Sequence, residues 1–221
     1  MRIGLFGGTF NPVHLGHLRA AVEVRQGFEL DVIFLIPAAL PPHKASGEVA
    51  ASADRLYMLN LALGVHTGLE VSDVELNRSG PSYTIDTVQH FKQTLPAETR
   101  LYLIMGLDAF LEIDTWKSYR ELLTQIPFIV INRPNASRRI SDVPWKIMDD
   151  YISVKLSADY SYSNSRSAYL ARGLKPIYVF EVTALEISST LIRSEISQER
   201  SLDYLVPQKV AEYIRTKGLY L

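Results

Sequence analysis

Residues 1–36 read MRIGLFGGTFNPVHLGHLRAAVEVRQGFELDVIFLI. The apolar run 3–6 ends at two glycines and predicts a buried strand, and residues 15–28 carry apolar side chains at helical spacing. Residues 31–36 predict a second buried strand, which ends at Pro37. A strand, a helix and a strand in this order predict a βαβ unit with two parallel strands.

The rest of the chain continues this alternation of strands and helices. Helices are predicted over 56–63 and 83–95, and strands over 69–76, 101–105, 128–131 and 177–182. We therefore predict an α/β fold: a doubly wound, mostly parallel sheet with helices on both faces. No linker separates two parts, so we expect a single domain over 1–221, with its C-terminal helical part (about 186–221) packed on the sheet.

Two stretches interrupt the pattern. Residues 37–53 contain three prolines and a glycine and predict a long irregular loop after the second strand, where open α/β sheets place ligand-binding segments. Residues 157–173 are rich in serine and tyrosine without a clear period. We interpret the first stretch as a functional loop and the second as a surface excursion of unknown role.

The composition excludes several classes of protein. Of 221 residues, 47% are hydrophobic and 21% charged, which is typical of a globular protein. A formal net charge of −1 does not favour nucleic-acid binding. Cysteine is absent, which removes disulfides and thiolate nucleophiles, and no apolar stretch approaches the ~20 residues of a membrane span. We expect a cytoplasmic protein that binds neither nucleic acid nor membrane.

The segment 7–17, GGTFNPVHLGH, joins the first strand to the first helix. Tandem glycines let main-chain N–H groups approach an anion closely, and the following helix start attracts a phosphate. If helical, His14 and His17 share one face. The alternative is a helix cap plus a half-buried imidazole. Dinucleotide and P-loop patterns are absent, and no H-E-x-x-H helix supports zinc, so we predict no metal ligands.

A second candidate site lies at 187–193, ISSTLIR. Its hydroxyl side chains predict a helix start capped by Ser188 or Ser189, with Arg193 one turn further on. Taken alone, the segment is equally a capped helix with a solvated arginine. Because parallel strands bring their carboxyl ends to one edge of a sheet, both helix starts can face one polyphosphate.

These two motifs closely resemble the HxGH and ISSTxxR signatures of the nucleotidyltransferase superfamily, and in particular the bacterial nicotinate-mononucleotide adenylyltransferases. The similarity covers nearly the whole chain and is most specific in the PSYTIDT segment and in the GxD segment followed by a tryptophan. Further matching segments, in the family's order, are PPHK at 41–44, DRL at 54–56, EL at 75–76 with Arg78, GPSYTIDT at 80–87, GLD at 106–108 with Trp116, LVP at 205–207 and YI at 213–214.

The resemblance implies a Rossmann-like nucleotidyltransferase fold and transfer of the adenylyl group of ATP to nicotinate mononucleotide in NAD biosynthesis. Mg²⁺ would accompany ATP as co-substrate, and the partners would be these two small molecules. Alternatives are another phosphate acceptor (nicotinamide mononucleotide, phosphopantetheine or FMN) and a non-catalytic nucleotide sensor. The oligomeric state is left open, a homo-oligomer included.

The resemblance also implies roles for particular residues. Those implied to be catalytic are His14, His17, Lys44 and Arg193. Those implied to bind ATP are Gly7, Gly8, Thr9, Phe10, His17, Arg133, Ser188, Ser189, Thr190 and Arg193. Those implied to bind the mononucleotide are Lys44, Tyr83, Thr84, Asp108 and Trp116, whose indole would stack on the pyridine ring.

Each role outside the two motifs has a plain alternative. Lys44 is equally a solvated loop lysine, and Trp116 and Tyr83 are equally packing residues of the core. Asp108 is equally interpreted as the cap of the helix after residue 106, and Arg133 is equally interpreted as a charged residue at the end of a strand.

Two positions depart from the family pattern. Asn11 stands where many members carry Asp, and we expect little functional change because this side chain flanks the histidine pair. Leu107 stands where a smaller residue is common, which bears on the fine shape of the pyridine pocket.

Overall fold

The computed structural model describes residues 1–39, 49–64, 68–132 and 143–221, with side chains in the last range from residue 146 onward. The chain divides into two compact units. Unit 1 comprises Met1–Phe6 and Tyr83–Ala184, and unit 2 comprises Gly7–Ser82 and Leu185–Leu221. The single domain over 1–221, with the C-terminal helices packed on the sheet, stays a prediction.

The described residues form strands and helices that alternate along most of the chain. The strands are β1 (Arg2–Gly8), β2 (Val32–Pro37), β3 (Leu69–Val71), β4 (Arg100–Gly106), β5 (Phe128–Asn132), β6 (Ser161–Ser163), β7 (Ala168–Leu170) and β8 (Ile177–Glu181). The helices are α1 (Leu15–Gly27), α2 (Ser52–Leu63), α3 (Thr84–Thr94), α4 (Leu107–Phe110), α5 (Tyr119–Gln125), α6 (Val143–Tyr151), α7 (Ser189–Ser197) and α8 (Gln208–Lys217). None of the helices in these ranges is long and apolar enough to cross a bilayer.

Unit 1 is built on a mostly parallel sheet with the strand order β1-β4-β5-β8-β7-β6. The pairs β1/β4, β4/β5 and β5/β8 are parallel, with Ile3 opposite Leu101 and Ile129 opposite Tyr178. All five residues of β5 are buried, as expected for a strand covered on both faces, which explains its continuous apolar run. β7 pairs antiparallel with β8 and with β6.

Unit 2 contains the parallel pair β2/β3, with Ile33 opposite Leu69, and the helices α1, α2, α7 and α8. α2 packs against α8. The α/β class and the mostly parallel strand pairing are therefore as predicted, and the strands expected at 3–6, 31–36, 101–105, 128–131 and 177–182 are confirmed within one or two residues.

Three predicted segments differ in detail from the structure. Residues 157–173, interpreted from the sequence as a surface excursion without a clear period, contain a hairpin of β6 and β7 that extends the sheet of unit 1. Strands of only three residues leave too little sequence for an alternating pattern to be recognised. The strand predicted over 69–76 ends at Val71, and α2 begins at Ser52, inside the stretch predicted to be irregular.

Candidate active site

The glycine-rich loop begins where β1 ends at Gly8. Phe10 adopts the left-handed conformation with φ of 48°, and the residue is 2% exposed. A Cβ built on Gly8 would lie 3.1 Å from the Phe10 ring, so a side chain at position 8 would displace it. Glycine at position 8 therefore leaves the space that the buried Phe10 ring occupies. It also gives the backbone of the loop its flexibility.

The two histidines of this segment lie ring against ring. His14 is the N-cap of α1 in extended conformation, and its ring stacks on that of His17 with 3.7 Å between the centroids. The Phe10 ring meets His17 edge-on at 5.0 Å. A Cβ on Gly16 would lie 3.1 Å from His14 Nδ1 and 3.5 Å from the carbonyl oxygen of Ile187, so glycine at this position permits the close packing.

The start of α7 lies against the same loop, within unit 2. Ser188 is the N-cap, and its Oγ accepts a hydrogen bond from the Leu191 N–H at 3.0 Å, which confirms the predicted cap. Ser189 Oγ donates to the carbonyl oxygen of Pro12 at 2.9 Å. Arg193 Nη1 donates to the carbonyl oxygen of Asn11 at 2.9 Å. The structure thus brings together the two motifs, which are 177 to 182 positions apart in these contacts.

Thr190 completes this arrangement of polar groups. Its Oγ1 accepts a hydrogen bond of 3.4 Å from Arg193 Nη2, so both ends of the guanidinium are engaged by neighbouring oxygen atoms. An arginine that is already oriented loses less side-chain freedom when an anion binds beside it. Together with the main-chain N–H groups at the start of α7, Arg193 provides a positively polarised surface next to the loop.

Three residues to which the sequence analysis gave no catalytic or binding role support the loop. Asn11 is 1% exposed, and its Oδ1 accepts hydrogen bonds from the Ala50 N–H and the Tyr220 hydroxyl, both at 2.9 Å. Arg55 is equally buried and bonds to the carbonyl oxygen of Thr9. The available signal was the resemblance of 54–56 to the family, and no pattern pointed to the Tyr220 contact.

The residues expected to bind the mononucleotide lie in unit 1. Tyr83 and Thr84 stand at the start of α3, the former as N-cap, and Trp116 follows a 3-10 turn over Ile113–Thr115. Tyr83 and Trp116 are both half-buried, so neither is a fully enclosed core residue. Asp108 is exposed in α4 and does not cap it, because Gly106 holds that position.

A cation lies over the Tyr83 ring. Lys117 Nζ is 4.4 Å from the ring centroid and 3.3 Å from Asp86 Oδ2. This cation–π contact restricts one face of the ring, and the exposed ion pair adds little to stability by itself.

Leu107, the first residue of α4, is half-buried.

Lys44 and Arg133 lie outside the described residues. Within residues 1–39, 49–64, 68–132 and 143–221, no group of three or more His, Cys, Asp or Glu side chains is arranged to hold a metal ion.

In this α/β chain, a glycine-rich loop and a stacked histidine pair lie beside a capped helix that carries an arginine. These are the features of a nucleotidyltransferase. Residues 5–195 match the cytidylyltransferase-like family, and the chain belongs to that family.

Relatives that match over the full length of the chain point to a narrower group within this family. The chain is 42% identical over 222 residues to a protein of Desulfatibacillum aliphaticivorans named probable nicotinate-nucleotide adenylyltransferase, with 100% of both sequences covered. It is 38% identical to a protein of the same name from Pseudomonas fluorescens, with 99% of this chain and 97% of the relative covered.

A solved structure confirms the predicted nucleotidyltransferase-type α/β fold. The nicotinic acid mononucleotide adenylyltransferase of Plasmodium falciparum, complexed with NaAD, superposes with a TM-score of 0.71 over 99% of this chain and 97% of its own. The sequence identity is 18%, so this likeness is one of fold.

Proposed function

We propose that this protein transfers the adenylyl group of ATP to nicotinate mononucleotide, which yields nicotinate adenine dinucleotide and pyrophosphate in NAD biosynthesis. The observation that carries the proposal is the contact of the glycine-rich loop with α7, through Ser189 on Pro12 and Arg193 on Asn11. Full-length identity of 42% and 38% to two proteins named for this activity supports the choice of acceptor.

The reaction makes a simple chemical demand. A phosphate oxygen of the mononucleotide attacks the α-phosphorus of ATP, the bond from that phosphorus to the bridging oxygen breaks, and pyrophosphate leaves. The nucleophile is already anionic, so no general base is needed to create it. The main obstacle is repulsion between two anions, so catalysis consists of aligning the substrates and stabilising negative charge.

The groups of unit 2 suit that demand. Main-chain N–H groups of residues 7–10 and of the start of α7 bind phosphate oxygens. Arg193 adds a fixed positive charge whose orientation the Asn11 carbonyl oxygen sets. From their places in the family pattern, Lys44 acts on the reacting phosphates and Arg133 on ATP.

The histidine pair donates hydrogen bonds to the phosphates. His14 is 2% exposed and stacks on His17 at 3.7 Å, so the two rings are held in fixed directions. A neutral imidazole has one N–H donor and an imidazolium has two, so the role holds in either protonation state. Donors that are fixed before reaction need no reorganisation as charge develops.

Unit 1 binds the mononucleotide in this proposal. The half-buried Trp116 offers an indole face for the pyridine ring, and Tyr83 lies at the start of α3. Thr84 opens that helix, where main-chain N–H groups have no intrahelical acceptor and suit a carboxylate. Asp108, which is exposed, accepts hydrogen bonds from the ligand's hydroxyl groups.

Mg²⁺ enters with the phosphates of ATP and is part of the substrate. Bound to the phosphate oxygens, it would neutralise part of the negative charge that opposes the attack.

A substrate panel tests the proposal. The purified protein is incubated with MgATP and, separately, with nicotinate mononucleotide, nicotinamide mononucleotide, phosphopantetheine or FMN, while pyrophosphate release is recorded. We expect the highest kcat/KM with nicotinate mononucleotide and detection of the dinucleotide by mass spectrometry. Preferred turnover of another acceptor would contradict the proposal, and ATP binding without pyrophosphate release from any of them would indicate a sensor.

A further inference from the structure

Arg55 is a buried arginine whose guanidinium donates hydrogen bonds to main-chain carbonyl oxygens. It lies in the first turn of α2, and its side chain is 1% exposed. Nε donates to the carbonyl oxygen of Ala50 at 3.0 Å, and Nη1 donates to that of Thr9 at 2.8 Å. Nη2 donates to the carbonyl oxygens of Ala38 at 2.7 Å and Ala39 at 3.3 Å. One guanidinium therefore holds the glycine-rich loop, the end of β2 and the approach to α2 in fixed relation.

Main-chain carbonyl groups solvate the positive charge of Arg55. Within residues 1–39, 49–64, 68–132 and 143–221, no carboxylate forms an ion pair with it, and carbonyl dipoles take the place of a counter-ion. Burial lowers the pKa of Arg55 below its usual range, yet arginine stays protonated in proteins at neutral pH. A buried charge interacts more strongly with a nearby anion than a charge in water does, so the field of Arg55 acts on whatever anion binds beside the loop.

The contact with Thr9 bears directly on how the loop would bind an anion. The Thr9 carbonyl and the Phe10 N–H belong to one planar trans peptide, so they point in opposite directions. Because Arg55 Nη1 holds the carbonyl at 2.8 Å, the Phe10 N–H points away from the guanidinium. A charged donor on the carbonyl also polarises the peptide, which makes its N–H a stronger hydrogen-bond donor.

The Thr9–Phe10 peptide needs contacts with other residues to keep its conformation. Phe10 has a φ of 48°, in the left-handed region that non-glycine residues rarely occupy. Such a conformation persists only where the surroundings enforce it. The buried Phe10 ring fixes one end of the residue, and Arg55 fixes the peptide before it.

We propose that Arg55 is a positioning residue for ATP: it orients and polarises the Thr9–Phe10 peptide so that the Phe10 N–H binds a phosphate oxygen, and the bound polyphosphate becomes the counter-ion of its buried charge. This inference rests on the proposed function for the identity of the anion. Arg55 touches no reacting atom, so its effect is transmitted through the loop.

The test compares two ligands that differ only in their phosphates. Dissociation constants of ATP and adenosine are measured by calorimetry for the wild-type protein, Arg55→Gln and Arg55→Lys, without any acceptor. We expect Arg55→Gln to weaken ATP binding by about tenfold to a hundredfold, the range for losing a charged hydrogen bond, and to leave adenosine binding nearly unchanged. Arg55→Lys keeps the charge but loses the forked geometry, so its loss should be intermediate.

Two controls separate this role from a purely structural one. Arg215→Gln removes an exposed arginine of α8 and should leave both constants unchanged. A residue needed only for folding would weaken ATP and adenosine alike, or would lower the Tm while the ratio of the two affinities stays constant. Either result in folded Arg55 variants would overturn the proposal.

A measurement on the wild-type protein covers the case in which the variants do not fold. With ¹⁵N-labelled phenylalanine, the chain gives at most 8 amide signals. We expect ATP, and not adenosine, to shift the Phe10 amide proton downfield, as a new hydrogen bond to phosphate requires. A Phe10 signal that ATP leaves unmoved would overturn the proposal. Neither experiment uses turnover, so a protein inactive on nicotinate mononucleotide would refute the proposed function and still test Arg55.

Discussion

The predicted chemistry depends strongly on the side chain of His17. Its ring is fixed by stacking on His14 at 3.7 Å and by the edge of Phe10 at 5.0 Å. We expect His17→Ala to lower kcat by a factor of about 10²–10³, as the loss of one donor to developing charge does elsewhere. Steady-state kinetics measures the loss, and circular dichroism checks that the fold is intact.

His90→Ala serves as the matched control, because His90 is exposed on α3. It should leave kcat at the wild-type value. Near-native turnover in His17→Ala would refute the role given to His17.

Trp116 is expected to act on binding and not on the chemical step. The side chain is half-buried and follows a 3-10 turn, so one part of the indole remains open to a ligand. Loss of stacking on a flat ring costs about 1–3 kcal/mol, so Trp116→Ala should raise the KM for nicotinate mononucleotide roughly tenfold and leave the KM for ATP unchanged.

Trp116→Phe tests whether stacking is the cause. Phenylalanine keeps an aromatic face, so most of the lost affinity should return. If the KM for the mononucleotide is the same in the wild-type protein and Trp116→Ala, the stacking role is wrong.

The packing of α2 against α8 includes a hydrogen bond that makes stability depend on alkaline pH. The Tyr213 hydroxyl donates to Asp54 Oδ1 at 2.7 Å, and this bond raises the pKa of Tyr213 from 10.0 to about 12. The folded protein therefore keeps a proton that the unfolded chain loses above pH 10. The stabilising contribution is complete below pH 10 and disappears as the pH rises through about 12.

Tyr213→Phe removes this titration. We expect the Tm of the wild-type protein to fall more steeply than that of the variant as the pH rises from 10 to about 12, as measured by circular dichroism. In Asp54→Asn the pKa of Tyr213 should move back towards 10, which tyrosinate absorbance detects. Equal pH dependence in the wild-type protein and Tyr213→Phe would show that this hydrogen bond has no role in stability.

Elements with strong local signals were predictable from the sequence. β1, α1 and β2 follow from continuous apolar runs, a helical period and punctuating glycine and proline, and the cap of α7 follows from its hydroxyl residues. β6 and β7 did not follow, because each has three residues and gains its order from pairing across the hairpin. The helix was predicted from residue 15, and His14 takes the helix-cap position that was the alternative interpretation for this histidine pair.

Residues that act over long sequence separations were harder to predict. The geometry of a parallel sheet and the resemblance to a known family both paired the two motifs, but neither indicated which atoms join them. The burial of Arg55 depends on carbonyl groups from three separate segments, and a sequence pattern contains no information on where carbonyl oxygens converge. Asn in place of Asp at position 11 was expected to change function little, and this stays a prediction. The structure adds that Asn11 Oδ1 accepts hydrogen bonds from Ala50 and Tyr220.

Hydrogen bonds from residues far away in the sequence also hold the glycine-rich loop in its conformation. Hydrogen bonds reach it from Ser189, Arg193 and Tyr220, across 177, 182 and 209 positions. Closing the chain over such separations costs conformational entropy, so these contacts depend on the fold of the whole unit. The affinity for ATP is therefore expected to respond to substitutions near the C-terminus that lie far from the nucleotide in sequence.

Tyr220→Phe tests this dependence with the smallest available change. The Tyr220 hydroxyl donates to Asn11 Oδ1 at 2.9 Å, and Arg193 donates to the main-chain oxygen of the same asparagine. Removing the hydroxyl should lower the free energy of unfolding by about 1 kcal/mol, measured in urea, and should raise the KM for ATP without changing that for the mononucleotide. Tyr204→Phe is the control, because Tyr204 is 89% exposed and should change neither quantity. A Tyr220→Phe protein with wild-type stability and KM for ATP would mean that the loop keeps its geometry without the C-terminal contact, and that the glycine-rich segment and α7 are sufficient to hold it.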